Sequence, residues 1–207
     1  MTNPVLDHNP MQHFQKWFHK VDAVHPEIET NAMLLSTIGL DGYPKSRIVL
    51  LKRFTWEGFI FFTNYQSEKG IAISENNRVS VFFNWSNSKR NVFVIGKAEK
   101  IAINLSEGYF ESRPEGSKLV AWVSNQSEVI PSRTILEKRL KYYEKKYKSR
   151  PIPKPNYWGG YIIKPIRVEF KKYETSRGSG KTVTYKLQPG YNWSRDVSYF
   201  TNDIPIV

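Results

Sequence analysis

Arg47-Ile48-Val49-Leu50-Leu51-Lys52 sets a cation at each end of a short apolar run. Such a run reads as a strand that wants burial on both faces, because β-branched and aliphatic side chains suit that setting. Arg47 and Lys52 are five positions apart, an odd offset, and side chains alternate along a strand, so the two cations are directed to opposite faces. A strand of this kind can carry cations into two anionic sites, a phosphate-bearing cofactor on one side and a phosphate-bearing substrate on the other. The competing reading is a pair of cations that snorkel from the strand ends. The hexapeptide alone does not separate the two.

Upstream, residues 32–38 (Ala-Met-Leu-Leu-Ser-Thr-Ile) read as a buried strand. Leu40-Asp41-Gly42-Tyr43 reads as a tight turn, since Asp-Gly tolerates positive φ. The chain then returns over residues 46–53 as the second strand of a hairpin. Before it, residues 10–21 are expected to be helical, with Asn9 as cap, Pro10 in the first position and Phe14, Trp17, Phe18 and Val21 on one face. Downstream, residues 59–63 form a third strand, and Ser67 caps a short helix that ends near Glu75 and Asn76. Residues 79–85 and 91–103 are further strands joined by the turn Ser86-Asn87-Ser88. Helices follow over 105–111, 118–123 and 132–148, the last capped by Ser132. Three prolines stiffen 150–155. Residues 157–170 and 182–187 are strands, and Tyr191-Asn192-Trp193 starts another.

Strands at short spacing joined by tight turns, with helices inserted, point to an α+β fold built on an antiparallel barrel or sheet. One domain spanning 1–207 is the simplest division, with residues 1–8 expected to be disordered or loosely packed. No βαβ pattern or G-x-G-x-x-G is present, which argues against a Rossmann domain.

The chain of 207 residues has no cysteine, which excludes disulfides, thiolate metal sites and a cysteine nucleophile and fits a reducing, cytoplasmic setting. Met1-Thr2-Asn3-Pro4 lacks the features of a secretory signal, and no apolar stretch is long enough to span a membrane. His8, His13, His19 and His25 read as surface or packing residues, and no metal is expected. The net charge of +12 favours anionic partners. Much of the excess falls on Lys138, Arg139, Lys141, Lys145, Lys146, Lys148, Arg150 and Lys154, a solvated helix face and the loop after it. A nucleic-acid-binding module would use such charge, but no motif for one accompanies it.

Further motifs follow the hexapeptide in order: Phe62-Thr63-Asn64, Ser67-Glu68-Lys69, Trp85, Val94-Ile95-Gly96-Lys97-Ala98, Tyr109-Phe110-Glu111-Ser112-Arg113-Pro114, Ala121-Trp122-Val123-Ser124-Asn125-Gln126-Ser127 and Pro155-Asn156-Tyr157-Trp158-Gly159-Gly160. Over roughly residues 9–170 this ordered set resembles the pyridoxamine/pyridoxine 5′-phosphate oxidase family. The resemblance implies an FMN-binding split β-barrel and a homodimer with flavin at the subunit interface. It also implies oxidation of pyridoxine or pyridoxamine 5′-phosphate to pyridoxal 5′-phosphate, with O2 reoxidising the flavin and giving H2O2. By position, Arg47, Ile48, Val49, Leu50, Leu51 and Lys52 would line FMN, and Lys52 would also reach substrate. Phe62 and Thr63 would contact flavin and Lys69 its phosphate, with Asn91, Gln126, Ser127 and Lys181 completing the site. Tyr109, Arg113 and Ser117 match the substrate-phosphate clamp, Arg177 the catalytic arginine over the substrate, and Ser179 a substrate contact. The residue chemistry agrees: arginine offers a fork to phosphate, lysine a point charge, and tyrosine and serine hydroxyl donors.

This chain departs from the family pattern at several positions. Asn91 stands where glutamine is usual, and Glu68 where a basic residue is common. Lys171 replaces a tryptophan, Ser179 a histidine and Lys181 an arginine, and residues 171–207 diverge generally. Two further readings follow: a flavin-binding relative with another substrate or impaired turnover, and a flavin or pyridoxal phosphate carrier without turnover.

Overall fold

The computed structural model describes residues 9–124, 132–174 and 179–201. Asn9 caps the first helix, α1 (Pro10–Val24), its side chain accepting from Met11 N. The helix runs three residues past the apolar stripe and ends before Pro26. Phe14 is fully buried, and its ring meets Phe18, Phe54, Phe59, Phe83 and Trp85. Aromatic pairs of this kind add to the burial of their area, so the stripe read from the sequence is the centre of the core.

Strands β1 (Ala32–Ile38) and β2 (Pro44–Leu50) form the expected hairpin, with Gly42 at φ +79° in the turn. They are followed by β3 (Arg53–Phe54), β4 (Phe59–Asn64), the helix α2 (Glu68–Glu75), β5 (Arg78–Trp85) and β6 (Arg90–Lys100). Then come α3 (Ile103–Glu111), α4 (Glu115–Val123), α5 (Arg133–Tyr147), β7 (Trp158–Tyr173), β8 (Gly180–Leu187) and β9 (Trp193–Phe200). The sheet runs β2-β1-β5-β6-β7-β4-β3, with β8 and β9 branching from β7. Every pairing among them is antiparallel. The long β7 changes partner along its length: Trp158 to Ile163 pair β4, and Arg167 to Tyr173 pair β8. The register with β6 slips beside Pro165, where a missing N–H is tolerated. This bend curls the sheet into a split half-barrel around the aromatic core.

The structure corrects the reading of residues 46–53 as one doubly buried strand. β2 is the edge of the sheet and ends at Leu50. Leu51 N then bonds Asn31 O and Lys52 N bonds Ile60 O, so the chain leaves β1 and crosses to β4, where Arg53 and Phe54 pair anew. Arg47 and Lys52 therefore do not share a strand, and the alternation argument fails for that pair. Ile48 is 71% exposed, because an edge strand has a neighbour on one side only. The strand read over 91–103 stops at Lys100, and Ile103 already belongs to α3. Ser132 holds the N-cap position of α5, without a side-chain cap bond.

Candidate functional site

Two side-chain clusters hang from neighbouring residues of β4. Thr63 and Phe62 are adjacent, so their side chains leave opposite faces of the strand. Thr63 is buried and turns to the start of α2; Phe62 turns to α3. The separation of two sites by one strand, read from Arg47 and Lys52, thus belongs to β4.

The first cluster is cationic. Ser67 caps α2, accepting from Gly70 N while its hydroxyl donates to Asn64 O. Lys69 Nζ donates to Ser67 Oγ at 3.2 Å and lies 3.4 Å from Thr63 Oγ1. Arg47 points inward from β2 opposite the buried Leu35, and its Nη1 donates to Thr37 Oγ1 and Lys45 O, both at 2.7 Å. Glu68 joins them, 2.8 Å from Lys45 Nζ and 3.8 Å from Arg47 Nη2. Burial, and then repulsion from Arg47, lowers the pKa of Lys69; burial also lowers that of Arg47, against the pull of Glu68. The hydrogen bond from Lys45 lowers the pKa of Glu68. Cations desolvated beside one another at a helix N-terminus favour an anion.

The second cluster is aromatic with one cation. Ser106 Oγ accepts from Gly160 N, which seats α3 on β7. One turn on, Tyr109 stacks on Phe62 at 4.0 Å, and Trp158 stacks on Phe62 at 5.2 Å. Gly160 lies opposite Phe62 across the β4–β7 ladder, and a Cβ there would come within 2.9 Å of the Phe62 ring. Pro114 ends the helical run, so Arg113 sits in the break between α3 and α4, as the proline predicts. Its guanidinium lies 4.8 Å from the centroid of the Trp158 ring, and burial lowers its pKa. Arg113 Nη1 is buried and has no hydrogen-bond partner among the described residues. Burial raises the pKa of Tyr109, keeping its hydroxyl a donor. Leaving a charged donor unmatched is costly, and a phosphate oxygen would match it.

Other expected site residues lie apart. Ile48 is exposed on the outer face, Val49 packs against the core, Leu50 is half-buried, Leu51 is buried and Lys52 is exposed beyond the strand end. Ser117 is half-buried on α4, and Ser179 ends the β7–β8 connection, its carbonyl accepting from Glu174 N. Asn91 pairs with Asn84 on one side and Lys171 on the other, in register with the outward residues of the sheet. Its Oδ1 is buried with no hydrogen-bond partner among the described residues. Lys181 pairs with Lys172 and so faces the other side of the sheet from Asn91. Gln126, Ser127 and Arg177 lie outside the described residues.

Sequence reasoning missed Lys45 and Thr37 in the cationic cluster and gave Trp158 no site role of its own. Lys45 was open to discovery, because it stands two residues before Arg47 on one strand face. Among the described residues no group of three His, Asp or Glu side chains converges as a metal site, and no helix is long and apolar enough to cross a membrane.

The pyridoxamine 5′-phosphate oxidase family model matches residues 21–147. The pyridoxine/pyridoxamine 5′-phosphate oxidase of Flavobacterium johnsoniae is 49% identical over 189 residues, covering 91% of this chain and 88% of that one. The protein of the same name from Flavobacterium psychrophilum is 51% identical over 188 residues, covering 91% and 87%. Among solved structures, PhzG from Burkholderia lata 383, in complex with tetrahydrophenazine-1-carboxylic acid, superimposes with a TM-score of 0.85 at 20% identity, covering 97% of this chain and 98% of its own. A pyridoxamine 5′-phosphate oxidase-related, FMN binding protein from Nostoc punctiforme superimposes with a TM-score of 0.72 at 13% identity, covering 96% and 99%. At these identities the two structures establish a shared fold.

Proposed function

We propose that this chain, which belongs to the pyridoxamine 5′-phosphate oxidase family, binds FMN and oxidises pyridoxamine or pyridoxine 5′-phosphate to pyridoxal 5′-phosphate. For the amine, substrate, O2 and water give the aldehyde, ammonia and H2O2. The observation that carries the reading is Arg113, a buried cation with an unmatched donor beside a stacked aromatic wall. Arg113 and Tyr109 would hold the substrate phosphate, with Ser117 as a further donor. Phe62, Tyr109 and Trp158 would exclude water beside the vitamer.

The residues fit FMN. Arg47 and Lys69 offer desolvated charge for its phosphate, with Thr63 and Ser67 as hydroxyl neighbours. Asn91 offers an unmatched buried oxygen to a flavin N–H. FMN supplies the two-electron acceptor that O2 reoxidises. Arg47 and Asn91 face opposite sides of one sheet, so a single flavin touching both would take Asn91 from a second copy of the chain. The exposed outward row Ile48, Leu34 and Phe93 supports such a homodimer. Gln126, Ser127 and Arg177 complete the proposal by resemblance.

A flavin-binding relative with another substrate is the second reading. Lys171 favours it, because a cation stands beside Asn91 where the resemblance leads one to expect an aromatic ring. The test is to purify the protein, reconstitute it with FMN and measure pyridoxal 5′-phosphate from both vitamers. Turnover with bound flavin is the expected result. Bound flavin without product would favour the second reading, and failure to take up FMN would overturn both.

A further inference from the structure

We propose that Lys45 is a positioning residue for the cofactor phosphate: it takes the closer contact with the Glu68 carboxylate and keeps it from closing on Arg47 as a hydrogen-bonded pair, leaving the Arg47 guanidinium open to the anion. The proposal rests on the FMN reading above. Glu68 is the first residue of α2, where a carboxylate is favoured by the helix end, and it immediately precedes Lys69. A carboxylate in that place competes with a ligand phosphate for the same cations. It is held to one side. Lys45 Nζ takes Glu68 Oε1 at 2.8 Å, while Arg47 Nη2 stays 3.8 Å from Glu68 Oε2. Asp41 fixes Lys45 in turn, at 3.1 Å. Lys45 and Arg47 occupy alternate positions of β2 and so share its inner face, opposite Thr37 and Leu35 of β1. Removing Lys45 frees Glu68 to close on Arg47 as a two-point carboxylate–guanidinium pair, which is among the stronger ionic contacts. The phosphate then meets a neutralised site.

The experiment is a double-mutant cycle read by FMN dissociation constant, from quenching of flavin fluorescence, on the apoprotein. Lys45→Met is expected to weaken FMN about tenfold, a size ordinary for coupled neighbours. Glu68→Gln should bind FMN at least as tightly as the native chain, and the double variant should match Glu68→Gln within about twofold. Lys45→Arg, which keeps the tether, should stay near native affinity. Riboflavin, which lacks the phosphate, should show the same affinity across the set. A loss on Lys45→Met of equal size in the Glu68→Gln background would overturn the proposal, because Lys45 would then contact the phosphate directly. So would an unchanged Lys45→Met variant. A native chain that takes up no FMN overturns the cofactor reading first, and this one with it.

Discussion

Arg113→Met separates a binding role from a structural one, because the two predict opposite signs. Methionine keeps an apolar stem against Trp158 and removes the guanidinium. The free protein loses a cation–π contact over Trp158 at 4.8 Å, about 0.5–1 kcal/mol for a partly exposed pair. It also loses a buried Nη1 with no partner among the described residues, whose presence costs about 1–3 kcal/mol. The two nearly offset, with the balance on the side of stability. The substrate phosphate meanwhile loses a charged hydrogen bond of about 1.5–3 kcal/mol, or about 10- to 150-fold in affinity. Titration with pyridoxal 5′-phosphate, followed by absorbance or fluorescence, gives the affinity, and urea unfolding gives the stability. The expected result is affinity reduced by more than about tenfold with stability equal or higher. A stability loss beyond about 1 kcal/mol with unchanged affinity would show that Arg113 is a packing residue and refute the argument.

Gly160→Ala should lower unfolding stability by about 1–3 kcal/mol, the usual cost of overpacking, because its Cβ would crowd Ile101 and the Phe62 ring. It should also weaken pyridoxal 5′-phosphate by disturbing the stack, and an unchanged melting curve would count against the close approach. Tyr161 donates to Gly70 O, and burial, then Tyr65, pushes its pKa up to about 12. The unfolded chain releases that proton near pH 10, so this contribution is present below pH 10 and is lost as pH rises toward 12. Urea unfolding between pH 8 and 11.5 should show native stability falling along that limb, and Tyr161→Phe should flatten it; equal slopes would remove Tyr161 as the cause.

Much of the fold is legible in local chemistry. Asn9 and Ser67 announce helix starts through the bonds they make, Asp41-Gly42 a tight turn, and the spacing of Phe14, Phe18 and Val21 a core face. The ordered motifs also pointed to Arg47, Lys69, Tyr109 and Arg113 as anion binders, and the structure clusters them as Arg47 with Lys69 and Tyr109 with Arg113. These are properties of single residues and of neighbours a few positions apart, which is the range over which caps, turns and periodicity act.

Tertiary structure alone decided the rest. No local signal says that the strand after Arg47 stops at Leu50, since the cause lies in Asn31 and Ile60 taking the next two N–H groups. No local signal says that Ile48 faces outward at a sheet edge, that Phe62 and Thr63 part to two clusters, or that Asn91 and Lys181 lie on opposite faces. The ion pair of Lys45 with Glu68 spans 23 residues and exists because β2 passes the start of α2. Caps, turns and periodicity determined which segments become helix or strand, and the resemblance marked which side chains are expected to bind anions. Pairing between distant segments determined which cation faces which carboxylate, because register and strand order are set by the whole buried face together.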